Sequence, residues 1–216
     1  MTQPLPSITG PRDAPNALGA WDDGLPAPEQ RNASRFTLLI RVAKLIAGSD
    51  EFLVVVRDVS RDGLKLRTFH PLPDQGAFAI ELANGERHHV DQVWEDGEIK
   101  GFRFQEPVAL EQLLAEGPSG KRRRPVRVRL NVPIKVFDGL RYCTGMFIDL
   151  SQSGACMASD EHLALNQRVR IECAGLPELT GRVRWRRSPL YGLSFEQTFR
   201  LDELARITAQ LAASRD

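Results

Sequence analysis

Short runs of alternating apolar and polar residues, separated by turns, dominate the chain from residue 36 onward. The alternation is clearest at 64–68 and 78–82, and Asn84-Gly85 and Asp96-Gly97 supply typical turn sequences. A period of two residues with a turn about every 8 to 12 residues predicts antiparallel β-structure, in a small barrel or a sandwich. The predicted strands are 36–46, 52–59, 64–68, 78–82, 88–94 and 99–105, followed by 126–137, 142–150, 155–158, 168–173, 181–186 and 190–195.

Helical spacing replaces this period at two places. Apolar residues fall on one side of a short predicted helix at 108–116 and of a terminal helix at 201–211. Between them, the sequence Gly-Pro-Ser-Gly at 117–120 ends the first helix and predicts a linker. We expect the terminal helix to pack on its own domain, with a contact to a second copy of the chain as the alternative.

The first 30 residues differ from the rest because they have no hydrophobic period. They hold six of the fourteen prolines. Such a segment cannot bury enough apolar surface to offset the entropy lost on ordering, so we expect a disordered tail.

The two halves of the chain repeat each other. At an offset of 91 residues, 58–104 aligns with 149–195 without a gap. Identical pairs include Asp58 and Asp149, Ser60 and Ser151, Gly63 and Gly154, Trp94 and Trp185, Gly101 and Gly192, and Phe104 and Phe195. At an offset of 92, Arg31 and Arg35 align with Arg123 and Arg127. The repeat predicts a tail at 1–30, a first domain at 31–116, a linker at 117–122 and a second domain at 123–216.

The repeated residues are chemically suited to an anionic ligand that contains guanine. Each copy has two arginines four residues apart, and arginine forks match both phosphate and the O6/N7 edge of guanine. In the Asp-x-Ser-x-x-Gly that follows, the carboxylate can accept from the guanine amide and amine, and the serine can donate. The glycine permits a positive φ and close approach of a ligand. Taken singly, the arginines predict a solvated basic segment and Asp-Ser-Gly a hairpin turn, but their joint repetition favours a binding site.

These motifs resemble the signature of the PilZ domain family, RxxxR followed by [D/N]xSxxG. The later pattern of the family, Trp followed by Gly-x-x-Phe, also recurs in both halves. The resemblance implies a bacterial protein with a mainly β fold, in which two tandem six-stranded antiparallel barrels are each followed by a C-terminal helix. It also implies that the chain binds the second messenger cyclic di-GMP.

Site residues follow from the same resemblance. It implies that cyclic di-GMP is bound by Arg122, Arg123, Arg127, Asp149, Ser151 and Gly154 in the second domain and by Arg31, Arg35, Asp58, Ser60 and Gly63 in the first. Arg122 resembles an extra arginine that precedes RxxxR in the family, where the first domain has Gln30. Because fewer cations attract a dianion less strongly, we expect the first site to be the weaker one, or silent.

Composition narrows the class of protein further. The 29 Lys and Arg nearly balance the 28 Asp and Glu, and a net charge of +1 argues against a polybasic nucleic-acid coat. The apolar runs are far shorter than the roughly 20 residues of a membrane helix. Cys143, Cys156 and Cys173 have no CxxC spacing, which suits a reducing compartment and core positions. We expect a cytoplasmic protein with no membrane span, no catalytic activity, no metal and no cofactor apart from its ligand, cyclic di-GMP.

The resulting hypothesis is a receptor whose two domains change their arrangement when the ligand orders residues 117–127. This change would regulate a protein partner in motility, biofilm formation or exopolysaccharide synthesis. One alternative is a ligand-free PilZ-like adaptor that binds only proteins. Another is nucleic-acid binding by residues 121–129, which hold six basic residues. That segment has no aromatic residue on which a base could stack, which argues against the second alternative.

Overall fold

Twelve strands and one helix make up the part of the chain that the computed structural model describes, residues 36–73, 76–82, 84–109 and 125–214. The first six strands are β1 (Phe36–Ala47), β2 (Asp50–Val59), β3 (Gly63–Arg67), β4 (Phe78–Glu81), β5 (Arg87–Asp96) and β6 (Ile99–Phe104). The other six are β7 (Val128–Phe137), β8 (Tyr142–Ser151), β9 (Gly154–Ala158), β10 (Arg168–Glu172), β11 (Leu179–Arg187) and β12 (Leu190–Phe195). The helix is α1 (Leu201–Ala213).

Each group of six strands closes into an antiparallel barrel. The order around the first barrel is β1-β2-β3-β6-β5-β4, and the order around the second is β7-β8-β9-β12-β11-β10. The two orders are equivalent, so the sequence repeat is a repeat of topology. The predicted mainly β fold with two six-stranded barrels is confirmed, and α1 confirms the terminal helix.

Several predictions fall on residues outside the described ranges. These are the tail at 1–30, the linker at 117–122 and the part of the helix at 108–116 that lies beyond residue 109. Residues 108 and 109 themselves have no helical structure. The domain limits at 31–116 and 123–216 therefore stay predictions.

Both barrels contain register shifts at equivalent positions. In the β2–β3 and β8–β9 pairs, the shift lies directly before Asp58 and Asp149. In the β5–β6 and β11–β12 pairs, it lies directly before Trp94 and Trp185. A bulge bends its strand and redirects the following side chain, so the same backbone device aims these four side chains in both barrels.

The strand β2 is buried on both faces. Phe52, Val54 and Val56 belong to the core of the first barrel. Leu53 and Val55 lie on the opposite face, in the hydrophobic cluster formed by the second barrel and α1. Two-sided burial explains why these five consecutive residues are all apolar instead of alternating with polar residues.

The helix α1 covers the outer face of β2. It contacts both β2 and β7, and its residues Leu204 and Leu211 lie in the same cluster as Leu53 and Val55. The helix was expected on its own domain, and it packs on the first barrel as well. Among the described residues, no helix combines the length and the apolar character needed to cross a membrane.

We predict that Leu53→Ala lowers the free energy of unfolding by about 2–5 kcal/mol, because it removes buried methyl groups and leaves a cavity between the barrels. Urea denaturation followed by circular dichroism measures the change. Leu140→Ala is the matched control, since Leu140 is 92% exposed and its loss should change stability by less than about 0.5 kcal/mol. Equal unfolding midpoints for the two variants would show that the outer face of β2 contributes nothing.

Candidate functional site

Arg127 and Asp149 meet at one end of the β7–β8 hairpin. Arg127 Nη1 donates to Asp149 Oδ1 over 2.5 Å, and both side chains are partly exposed. The backbone N–H of Cys156 donates to the same carboxylate oxygen over 3.0 Å. Two donors therefore fix the position of the Asp149 side chain, while its second oxygen has no partner among these contacts.

Asp149 is the first member of a line of four residues that crosses neighbouring strands. The backbone pairs Asp149 with Cys156, Cys156 with Gly192, and Gly192 with Trp185, on β8, β9, β12 and β11. We call this line the second-barrel row. With strands about 4.8 Å apart, the row spans roughly 14 Å. It lies outside the core of the second barrel, because the neighbouring residues Ala155, Met157 and Leu193 belong to the core cluster and Cys156 does not.

An indole ring lies flat on this row. Gly192 has no side chain, and a Cβ atom placed there would overlap the indole nitrogen of Trp185. Trp185 nevertheless remains 43% exposed. The row therefore presents a carboxylate at one end, an accessible aromatic ring at the other and the small side chain of Cys156 between them.

The first barrel has an equivalent line of residues. Asp58 pairs with Lys65, Lys65 with Gly101, and Gly101 with Trp94. We call this line the first-barrel row. A Cβ atom at Gly101 would overlap the indole nitrogen of Trp94, so the indole again lies on the glycine. The two rows differ at one position, where the first has Lys65 and the second Cys156.

The motif serines close their turns. Ser151 is fully buried, and its hydroxyl donates to the carbonyl oxygen of Gly154 over 2.9 Å. The hydroxyl of Ser60 lies 3.2 Å from the carbonyl oxygen of Gly63 and also accepts from the backbone N–H of Gly63. The structure thus engages both hydroxyls with the backbone of the turn, and their contact with a ligand stays a prediction.

The motif glycines have a different role from the one expected. Neither Gly63 nor Gly154 has a positive φ. A Cβ atom at Gly63 would overlap the carbonyl oxygen of Phe102, and one at Gly154 would overlap that of Leu193. Close approach of the neighbouring strand, β6 or β12, therefore requires these glycines, and the expected positive φ is wrong.

Four of the predicted site residues lie outside the described ranges: Arg31, Arg35, Arg122 and Arg123. Of the predicted residues that are described, the structure brings Arg127 into contact with Asp149. It joins each serine to its glycine through the turn. The Asp–Ser spacing does not place both side chains on the surface, since Asp149 is partly exposed and Ser151 is not.

A buried carboxylate next to the site was not predicted. Glu51 of β2 is 4% exposed, and it accepts the backbone N–H of Arg129 over 2.9 Å. The guanidinium of Arg129 also lies 3.7 Å from Glu51. Arg129 is two residues from Arg127, so the strand that follows the site is attached to the first barrel. No local sequence pattern links residues that are 78 positions apart, so the contact could not be predicted. The basic run that contains Arg129 was the one sequence feature that drew attention to this residue.

The carboxylate of Glu51 belongs to a chain of charges. Lys44, itself buried, lies 3.2 Å from Glu51 and 2.9 Å from Glu81. Arg87 lies 2.6 Å from Glu81 on the exposed side. Burial opposes ionisation of Glu81, but hydrogen bonds from Lys44 and Arg87 lower the pKa of this carboxyl overall. The chain therefore carries alternating charges from the interface to the solvent.

The cysteines do not suggest catalysis or metal binding. Cys143 lies in the core of the second barrel, as expected, whereas Cys156 lies on the outward-facing second-barrel row. Burial, and then the charge of Asp149, raises the pKa of the Cys156 thiol, which keeps it protonated. Within the described ranges, no group of three His, Cys, Asp or Glu residues is placed to hold a metal ion.

Comparison with protein families finds a match in the second half of the chain. Residues 121–213 match the family model described as the PilZ domain. The match includes the second barrel and α1, and with them Arg127 and the second-barrel row. A comparison with curated proteins found no match.

Three solved structures illustrate what the chain is similar to. One is the PlzA protein of Borreliella burgdorferi in complex with c-di-GMP, at 12% identity over 80% of this chain and 87% of that chain, with a TM-score of 0.34. A second is the inhibitor of motility MotI/DgrA of Bacillus subtilis, at 13% identity over 84% of this chain and 100% of that chain, with a TM-score of 0.34. The third is YcgR of Escherichia coli in complex with c-di-GMP, at 13% identity over 82% of this chain and 85% of that chain, with a TM-score of 0.31. Because these identities and TM-scores are low, the assignment of the second barrel rests on the family match.

We predict that Gly192→Ala displaces the indole of Trp185, because the added methyl group needs the space that the ring occupies. In a background of Trp21→Phe and Trp94→Phe, fluorescence reports Trp185 alone, and its emission should shift to longer wavelength with stronger quenching by acrylamide. Ser194→Ala, on the same strand, is the control and should leave the spectrum unchanged. An unchanged spectrum for Gly192→Ala would mean that the ring does not lie on the glycine.

Proposed function

We propose that the chain is a non-catalytic receptor for cyclic di-GMP, and the match of residues 121–213 to the PilZ domain family model supports this proposal. The observation that carries this proposal is the contact between Arg127 and Asp149 on the outside of the second barrel. These residues come from the two motifs of the family, the RxxxR pair and the Asp-x-Ser-x-x-Gly. An arginine fork suits phosphate and the O6/N7 edge of guanine, and a carboxylate suits the amide and amine of guanine.

Binding would exchange one set of charged hydrogen bonds for another. Without ligand, Arg127 is held by Asp149, so neither charged group is left unpaired. A guanine edge can replace the arginine on the carboxylate, which releases the guanidinium for a phosphate or a base. Arg122 and Arg123 would add positive charge beside the ligand, so affinity should fall as salt screens these attractions.

We predict that Arg127→Ala weakens binding of cyclic di-GMP about 10- to 100-fold, since a hydrogen bond to a charged group contributes about 1.5–3 kcal/mol. Isothermal titration calorimetry measures the loss. Arg141→Ala is the matched control, because Arg141 pairs with Glu161 over 2.7 Å at the opposite end of the same hairpin. Arg123→Ala should also cost more affinity than Arg31→Ala.

The outcome of this titration separates the receptor from its main alternative. Saturable binding that Arg127→Ala weakens and Arg141→Ala leaves unchanged supports the receptor. No heat from the unmodified chain at low salt contradicts it and leaves the adaptor that binds only proteins. The duplicated motif would then serve the turns, where Ser151 and Gly154 already have structural contacts.

The proposal extends to a change in the arrangement of the two barrels. Arg129 lies two residues from Arg127, and its backbone and side chain both contact Glu51 of the first barrel. Ligand capture that moves Arg127 would also move this end of β7 and so change the contact between Arg129 and Glu51. We propose that the change, together with ordering of residues 117–127, signals to a protein partner in motility, biofilm formation or exopolysaccharide synthesis.

We predict that saturating cyclic di-GMP changes the small-angle scattering profile of the chain, and that Glu51→Gln reduces this change without preventing binding. The amide keeps the shape of the side chain but removes its attraction to Lys44 and Arg129. Glu98→Gln is the control, because Glu98 pairs with Arg67 on the exposed surface of the first barrel. Identical profiles of the unmodified chain with and without ligand would rule out the rearrangement while leaving the receptor intact.

A further inference from the structure

The two rows are alike except at one position. Their backbone pairing, their register shifts and the indole lying on a glycine recur in both barrels. The residue between the carboxylate and the indole is Cys156 in the second barrel and Lys65 in the first. A change of residue type at this central position alters what the row offers to a ligand.

Lys65 lies along the first-barrel row and contacts both of its ends. Its ammonium is 3.5 Å from Asp58 Oδ2 and 6.0 Å from the centroid of the Trp94 ring. The first contact is an ion pair, and the second lies at the outer limit of a cation–π interaction. The carboxylate and the aromatic face are thus both engaged by one side chain of the protein itself.

Among the described residues, no lysine lies at the equivalent place in the second-barrel row. Cys156 is 7% exposed, and its thiol carries no positive charge. The cation on Asp149 is Arg127, which enters from the end of the row and belongs to the predicted binding motif. The central position of the second-barrel row therefore supplies no cation that engages both Asp149 and Trp185.

We propose that Lys65 closes the first-barrel row to cyclic di-GMP, so that the second barrel alone binds the ligand. The inference rests on the proposed function and identifies the residue that separates the two copies of the motif. A guanine edge that approaches Asp58 meets the ammonium of Lys65, which is a donor facing the N–H donors of the base. To bind there, the base must first displace Lys65 from both Asp58 and Trp94.

The test places a lysine in the second-barrel row. Cys156→Lys should weaken binding of cyclic di-GMP by about tenfold or more, because the new ammonium can pair with Asp149 as Lys65 pairs with Asp58. Cys156→Ser controls for loss of the thiol. Thr144→Lys adds the same charge at an exposed position of β8, and both controls should bind as the unmodified chain does. Calorimetry at one fixed ionic strength compares all four proteins.

A second measurement examines the first barrel directly. Arg127→Ala weakens the second barrel about 10- to 100-fold and leaves Lys65 in place, so this variant should show no site of near-normal affinity for cyclic di-GMP. It also decides the question if thermal melting shows that Cys156→Lys does not fold. A saturable site of near-normal affinity in Arg127→Ala would mean that the first barrel binds despite Lys65, which would overturn the inference.

The remaining outcomes separate this inference from the function on which it rests. Folded Cys156→Lys that binds as tightly as the unmodified chain overturns the role of Lys65 and leaves the receptor standing. Equal losses in Cys156→Lys and Thr144→Lys also overturn it, because charge alone, independent of the row, would then explain the effect. Absence of binding by the unmodified chain contradicts the receptor and the inference together.

Discussion

Burial of both faces of β2 is the constraint on which the other interdomain features depend. One face fills the first barrel, and Leu53 and Val55 on the other face join the cluster of the second barrel and α1. An apolar interface of this kind stabilises the contact between two barrels independently of the segment that connects them. It also removes water from Glu51, at the start of the same strand. A carboxylate in that position needs charged partners, and Lys44 and Arg129 supply them.

The candidate site is a product of backbone irregularity. Register shifts directly before Asp149 and Trp185 turn both side chains onto one outer row, and Gly192 leaves space for the indole between the strands. The same shifts occur in the first barrel, so the geometry of the row survives where its chemistry differs. The structure thus separates what the fold requires of the motif, namely its glycines and serines, from Arg127 and Asp149, whose charges face solvent.

The sequence predicted most of the fold because its information is local. A two-residue period, apolar runs and turn residues located the strands, and the offset of 91 residues predicted the shared topology. Contacts between distant elements could not be predicted in this way. The apolar run at 52–56 indicated a strand, but nothing in its sequence shows that α1 packs against it. The local sequence suggested a positive φ for Gly154. Its actual constraint is the carbonyl oxygen of Leu193, which lies on a strand 39 residues away and which the local sequence does not reveal.

The predicted site residues stay predictions, and the same local limit applies to them. Arg127 and Asp149 were named because the motif spacing repeats, and the structure places them in contact. The contact of Glu51 with Arg129 was missed because it joins two barrels through residues that have no motif in common. Cys156 was expected in the core because of its residue type, and it is buried, although it does not belong to the core cluster that contains Ala155 and Met157.

The shared apolar face of β2 also bears on how such a chain can evolve. Either half taken alone would expose that face to water, where a contiguous apolar patch promotes aggregation. Recombination that joins this second barrel to an unrelated first barrel would give a stable chain only if that first barrel had an apolar strand face against which α1 could pack. The two halves are therefore constrained to be inherited as a pair.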